Sequence, residues 1–212
     1  MTAVKTADTD FPLLNLRRVA GNIGAEIRDI RLSASLDADT FAQLDAALVK
    51  YKVLFFRQQG HLTDAEHQAF GARFGKIVPH PTVPSPEGTK LFELDASKGG
   101  GRADSWHTDV TFVDAFPKIS ILRGVTIPEY GGDTVWANTA RAYEQLPETL
   151  KRFVDTLHAV HSNDYDYGAE RVVVETHRLA HHQKVFVSSL WEAEHPVVHV
   201  HPVSGERALL LG

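Results

Sequence analysis

Apolar and polar residues alternate through residues 13–30, with Gly21 and Gly24 near the middle, which predicts two short strands joined by a tight turn. The period then changes. Phe41, Leu44, Ala47 and Leu48 recur at helical spacing, and Asp37 in front of them can cap the amides of a helix running up to Lys50. Val53-Leu54-Phe55-Phe56 is an unbroken apolar run bounded by charge, as expected of a buried central strand. Thr63-Asp64-Ala65-Glu66 has the form of a capping box and predicts a second helix that reaches to about Gly75.

Residues 79–101 hold Pro79, Pro81, Pro84 and Pro86 and end in a glycine-rich run, so they predict a long loop with one strand near residues 91–94. Loops of this length inside a compact domain usually carry function. Beyond Trp106 the pattern predicts short strands at residues 120–125 and 134–137, on either side of a Gly131-Gly132 turn. Asn138 or Thr139 opens a helix through Tyr143 and Leu146, and Pro147-Glu148 opens another that carries Leu150, Phe153, Val154 and Leu157. Residues 197–203 and 208–211 read as strands around a Ser204-Gly205 turn. Helices early and short strands later predict an α+β fold on a β-sandwich or barrel core, arranged as a single domain over residues 1–212. An apolar strand running to Leu211-Gly212 without a polar tail suggests a chain truncated at its C-terminus.

Composition narrows the chemistry. With 43% hydrophobic and 23% charged residues in 212, the chain has the makings of a packed core. Its 22 basic residues against 27 acidic ones are scattered, which argues against a nucleic-acid partner. There is no cysteine, so a bound metal must use nitrogen and oxygen ligands. No stretch is long and apolar enough to span a bilayer, and residues 1–10 lack the apolar core of a signal peptide, so the expectation is a cytoplasmic protein without a membrane partner. Of the 12 histidines, His181-His182 lies in a helical-looking segment and reads as an exposed pair.

His107-Thr108-Asp109 is the triplet with chemical promise. On an extended segment, side chains two apart point the same way, so an imidazole and a carboxylate would share one face. That pair plus a distant second histidine makes the facial triad of non-haem iron oxygenases. The bare triplet is common. Here it follows the long Pro/Gly loop, a frequent setting for a site.

The run Trp106-His107-Thr108-Asp109-Val110-Thr111-Phe112, followed by Tyr130-Gly131-Gly132-Asp133-Thr134-Val135-Trp136, closely resembles the taurine dioxygenase (TauD/TfdA) family of Fe(II)- and 2-oxoglutarate-dependent dioxygenases. The likeness extends to Val53 through Arg57, Phe74-Gly75, His80-Pro81, Ala142-Tyr143, Leu146-Pro147, His195-Pro196-Val197-Val198 and His201-Pro202. It implies a double-stranded β-helix (jelly-roll) core with flanking helices, whose C-terminal part is missing from this chain. It implies Fe(II) as cofactor, with 2-oxoglutarate and O2 as co-substrates. It implies His107 and Asp109 as iron ligands, Thr134 as a contact to the 2-oxoglutarate carboxylate, and His80 and Val110 as substrate contacts. The family's second iron histidine and its 2-oxoglutarate arginine lie downstream of the HPVV segment, past the last residue here. His199 and His201 stand two apart on a predicted strand, but the family places that strand away from the iron. Phe112 and Phe116 read as core aromatics.

Two departures concern the substrate. Taurine-specific members carry a tyrosine three residues beyond the HP histidine and an asparagine four residues before the iron triplet; Val83 and Ala103 stand there. A site built to hydrogen-bond a polar group discriminates poorly once its partner is gone. The apolar replacements resemble the alkylsulfatase branch, which implies a small anionic organosulfur substrate: hydroxylation beside a sulfate ester or sulfonate, releasing sulfate or sulfite with an aldehyde, succinate and CO2. The alternatives are a family member acting on taurine or an aryloxyalkanoate, and a noncatalytic binding protein on this fold. Family members commonly assemble as homodimers or homotetramers.

Overall fold

The computed structural model describes residues 9–95, 105–165, 171–174, 184–187 and 189–211. The chain divides into two compact units: Met1–Ile77 with Ile121–Gln145 and Val200–Arg207, and Val78–Ser120 with Leu146–His199 and Ala208–Gly212.

The first unit begins with β1 (Asn15–Arg18) and β2 (Ala25–Arg28), antiparallel as the alternation predicts, with Leu16 opposite Ile27. Helix α1 (Ala38–Tyr51) follows, and the Asp37 carboxylate accepts the Thr40 amide at 2.8 Å, filling the predicted cap. The chain returns through β3 (Leu54–Phe56), which lies parallel to β2. Strand order β1-β2-β3 puts β2 in the middle, so Val53-Leu54-Phe55-Phe56 supplies an edge strand with half-buried side chains, and the predicted central position is corrected. The apolar run is explained by what covers it: Leu54 and Phe56 pack on the core beneath α1. Leu44, Ala47 and Tyr51 of α1 meet Ala25 and Ile27 of β2 there, with Phe11, Leu62 and Phe70. Each such large side chain removed from water contributes about 1.5–3 kcal/mol.

Helix α2 (Asp64–Gly71) starts with a complete capping box: the Glu66 amide donates to Thr63 Oγ1 at 3.3 Å and the Thr63 amide to Glu66 Oε2 at 2.8 Å. A 3-10 turn, Ala72–Phe74, ends at Gly75, whose φ of 145° suits a residue without Cβ. Helix α3 (Thr139–Glu144) is capped by Asn138, which accepts the Arg141 amide at 3.0 Å.

The second unit contains α4 (Glu148–Val154), β4 (His158–Ser162), β5 (Arg171–Val174), β6 (Lys184–Val187) and β7 (Glu192–Pro196). Strands β4 and β7 pair antiparallel, with Ala159 opposite His195 and His161 opposite Ala193; β5 pairs with β6. His161, Ala193 and His195 are buried, so one face of the β4–β7 ribbon points inward and carries two imidazoles. Beside it, Asn163 is fully buried; its Nδ2 donates to Ser189 O at 2.8 Å and its Oδ1 accepts the Trp191 amide at 2.9 Å. The last two strands, β8 (Val198–Val200) and β9 (Arg207–Leu209), form the predicted hairpin around Gly205.

Mixed helices and sheets match the expected α+β class. Three predicted strands do not form among the described residues: residues 91–94, 120–125 and 134–137 have no ladder partner there. Alternation favours an extended backbone, but a strand also needs a neighbour, and Leu122 and Val125 are 71% and 78% exposed. His181-His182 lies outside the described residues, as does Ala103.

Candidate metal centre

His107 and Asp109 lie in the second unit, where an irregular segment enters a turn at Asp109, Val110, Thr111 and Phe112. They do not sit on a strand as predicted, yet they meet: His107 Nε2 is 3.1 Å from Asp109 Oδ1. Nδ1 of the same ring lies 2.9 Å from Ser105 O. A carbonyl only accepts, so Nδ1 carries a proton and Nε2 is the ring atom that faces the carboxylate. Two electron-rich atoms that close are stabilised by a cation or proton shared between them. Ligands bound at about 2.1 Å and at right angles on one metal stand about 3.0 Å apart. The pair therefore has the bite of two adjacent metal ligands, and the Ser105 carbonyl supplies the outer hydrogen bond that orients a ligating imidazole. Both side chains are accessible, at 37% and 65%. Among the described residues no third His, Asp or Glu completes a cluster.

Val110 follows Asp109 with φ of 57°. A β-branched residue there is a real outlier, costing about 1–3 kcal/mol, and it persists only where neighbours over-determine it. The neighbours are visible. Thr111 is 3% exposed, and its Oγ1 lies 2.8 Å from His161 Nδ1. His195 Nε2 reaches Thr111 O at 2.8 Å and Val113 O at 3.1 Å, so that nitrogen is the protonated one. The two rings meet edge to face, with centroids 5.2 Å apart. Burial, together with His195, holds the His161 pKa below its ordinary value, with a Leu210 backbone group acting partly against them.

His80 belongs to the same unit. Its Nδ1 lies 3.2 Å from Thr82 Oγ1, and its ring packs 4.9 Å from Phe92 and 6.3 Å from Phe112. Phe112 is buried, so His80 borders the turn through a core aromatic. Phe116 lies edge-on to His195 and His199. His201 Nδ1 accepts the Ser204 amide at 3.1 Å within the last hairpin.

Thr134 belongs to the first unit and is exposed. It borders a cavity of about 290 Å3 with Glu26, Phe55, Arg57 and Trp136. Phe55 and Trp136 meet edge to face there at 5.4 Å. Sequence reasoning missed Thr111 and His161. Period-two spacing of Ala159 with His161, and of Ala193 with His195, was the signal that could have found the two inward imidazoles.

The chain is of mixed α+β architecture, and its His107 imidazole and Asp109 carboxylate stand at the separation of two adjacent metal ligands. More particularly, the chain belongs to the taurine catabolism dioxygenase TauD, TfdA family, whose profile matches residues 15–212. It is 59% identical over 200 residues to an alkylsulfatase of Acinetobacter baylyi, covering 94% of this chain and 63% of that protein. It is 56% identical over 200 residues to an alpha-ketoglutarate-dependent sulfate ester dioxygenase of Pseudomonas putida, covering 94% and 66%. The chain thus spans just under two thirds of the length of either relative. Among solved structures, a taurine dioxygenase from Burkholderia xenovorans superposes with a TM-score of 0.71 at 38% identity, over 93% of this chain and 62% of that one. No helix among the described residues is long and apolar enough to cross a membrane.

Proposed function

We propose that this chain carries the iron-binding part of an Fe(II)- and 2-oxoglutarate-dependent dioxygenase that cleaves alkyl sulfate esters. The observation that carries this reading is the 3.1 Å pair of His107 and Asp109 in a chain more than half identical to two sulfate-ester-cleaving relatives. His107 Nε2 and an Asp109 oxygen would hold the metal. Thr134 contacts the 2-oxoglutarate carboxylate, and His80 and Val110 contact the substrate. When bound, Fe(II) with 2-oxoglutarate and O2 supplies an oxidant strong enough to hydroxylate an unactivated carbon.

The chain's own residues place and shield that chemistry. The half-buried Val110 and Val83 offer apolar side chains, suited to an aliphatic tail rather than an ammonium group. Hydroxylation of the carbon bearing the sulfate gives a product that collapses to an aldehyde and sulfate. One oxygen atom of O2 goes to that carbon and the other to succinate, while 2-oxoglutarate loses CO2. The reading includes a jelly-roll core over one domain, assembly as a homodimer or homotetramer, and a cytoplasmic location.

The test is sulfate release by the full-length protein supplied with Fe(II), 2-oxoglutarate and a medium-chain alkyl sulfate, with taurine and an aryloxyacetate in parallel. Sulfate and succinate in equal amounts are expected from the alkyl sulfate alone. Succinate formed only with taurine or the aryloxyacetate would move the substrate to that class. Failure to bind Fe(II) at all would leave a noncatalytic protein.

A further inference from the structure

We propose that His161 and His195 are positioning residues that fix the iron-binding turn through Thr111. The inference rests on reading His107 and Asp109 as the iron pair.

The turn cannot hold itself. Asp109 is the ligand nearest the left-handed Val110, a conformation that a β-branched residue adopts only under constraint. The next residue, Thr111, is buried and gripped on two of its polar groups: the hydroxyl by His161 Nδ1 and the carbonyl by His195 Nε2, each at 2.8 Å. His195 also takes the Val113 carbonyl at 3.1 Å, so a single N–H clamps two carbonyls of the same turn. Both imidazoles rise from the inward face of one antiparallel ribbon, β4 and β7, as diagonal neighbours. The Phe116 ring lies edge-on to His195 at 5.2 Å and holds it upright.

A layer whose only task was packing would place aliphatic side chains on those two inward positions. Two buried imidazoles carry a desolvation cost that aliphatic residues avoid. What the imidazoles provide is directional: contacts of fixed length from a rigid ribbon to the Thr111 hydroxyl and to the Thr111 and Val113 carbonyls, just past the ligand. This is the geometry by which outer hydrogen bonds orient a metal-binding group.

The test compares three sets of variants of the full-length protein. His161→Leu and His195→Leu remove the clamp. His161→Asn and His195→Gln keep an amide nitrogen near the Nδ1 and Nε2 positions respectively. Thr111→Val removes only the hydroxyl at nearly constant volume, and carries the test should the leucine variants fail to fold. Two quantities are read: anaerobic Fe(II) affinity, from the visible charge-transfer band with 2-oxoglutarate, and the metal-free unfolding midpoint.

Fe(II) affinity is expected to fall at least tenfold in the leucine and valine variants, with substantial recovery in the asparagine and glutamine variants. A lowered midpoint with unchanged affinity would overturn the proposal and leave the histidines as packing. So would equal losses in the conservative and leucine variants. Absence of the band in the wild type would overturn the iron reading itself, and the positioning role with it; that result is distinct because it appears before any substitution is made.

Discussion

His107 Nε2 and Asp109 Oδ1 stand 3.1 Å apart, although the two residues occupy a turn and not a strand. Their separation is set by backbone curvature, so the carboxylate arm must keep its length. Asp109→Ala should abolish the Fe(II)–2-oxoglutarate band. Asp109→Glu adds one methylene and should weaken Fe(II) binding by tenfold or more with the metal-free midpoint unchanged. Near-wild-type affinity in Asp109→Ala, measured by anaerobic titration, would remove Asp109 from the ligand set.

Val110 offers a test of backbone strain. At φ of 57°, Gly is unpenalised while Ala meets the same steric conflict as any L-residue. Val110→Gly should therefore be more stable than Val110→Ala by about 1–2 kcal/mol in denaturant unfolding, despite the usual entropic advantage of Ala. The reverse order would mean that the turn relaxes on substitution.

The helix caps of the first unit should separate stability from metal binding. Asp37→Ala and Thr63→Ala each remove a carboxylate or hydroxyl that accepts a first-turn amide. Each should cost about 1 kcal/mol in chemical denaturation. Fe(II) affinity measured on the folded protein should stay within twofold of wild type.

The pH dependence follows from His67, in α2. Burial lowers its pKa most; Arg123 acts in the same direction, while the Ile121 carbonyl and Asp64 act in the opposite one. The folded protein thus binds the proton less readily than the unfolded chain. This contribution to stability is complete above about pH 6.5, the ordinary imidazole value, and is lost as the pH falls through the lowered folded value. The unfolding midpoint should drop between pH 7.5 and 5.5, and His67→Gln should flatten that drop. An equal drop in the variant would assign it to other groups, among which His161 is also depressed by burial.

Local patterns were legible and non-local ones were not. Asp37, Thr63 with Glu66, and Gly75 mark their helix ends because a cap is settled within four residues of chain. Strands depend on partners that lie far away in sequence, as β4 and β7 do. Residues 120–125 have the alternation of a strand without a ladder, whereas His158–Ser162 and Glu192–Pro196 look too polar yet pair along their whole length. The imidazole–carboxylate pair was visible because its members are two residues apart. The clamp on Thr111 was not, because a threonine and two scattered histidines carry no local signature of meeting.

That clamp has a consequence for biosynthesis. His161 and His195 reach Thr111 across sequence separations of 50 and 84 residues. A nascent chain emerging from the ribosome presents His107 and Asp109 well before either clamp arrives, and closing loops of that length is entropically slow. The ligand pair therefore exists early as chemistry and late as geometry. With His107 and Asp109 as the proposed iron pair, iron loading should track completion of the β4–β7 ribbon rather than synthesis of that pair.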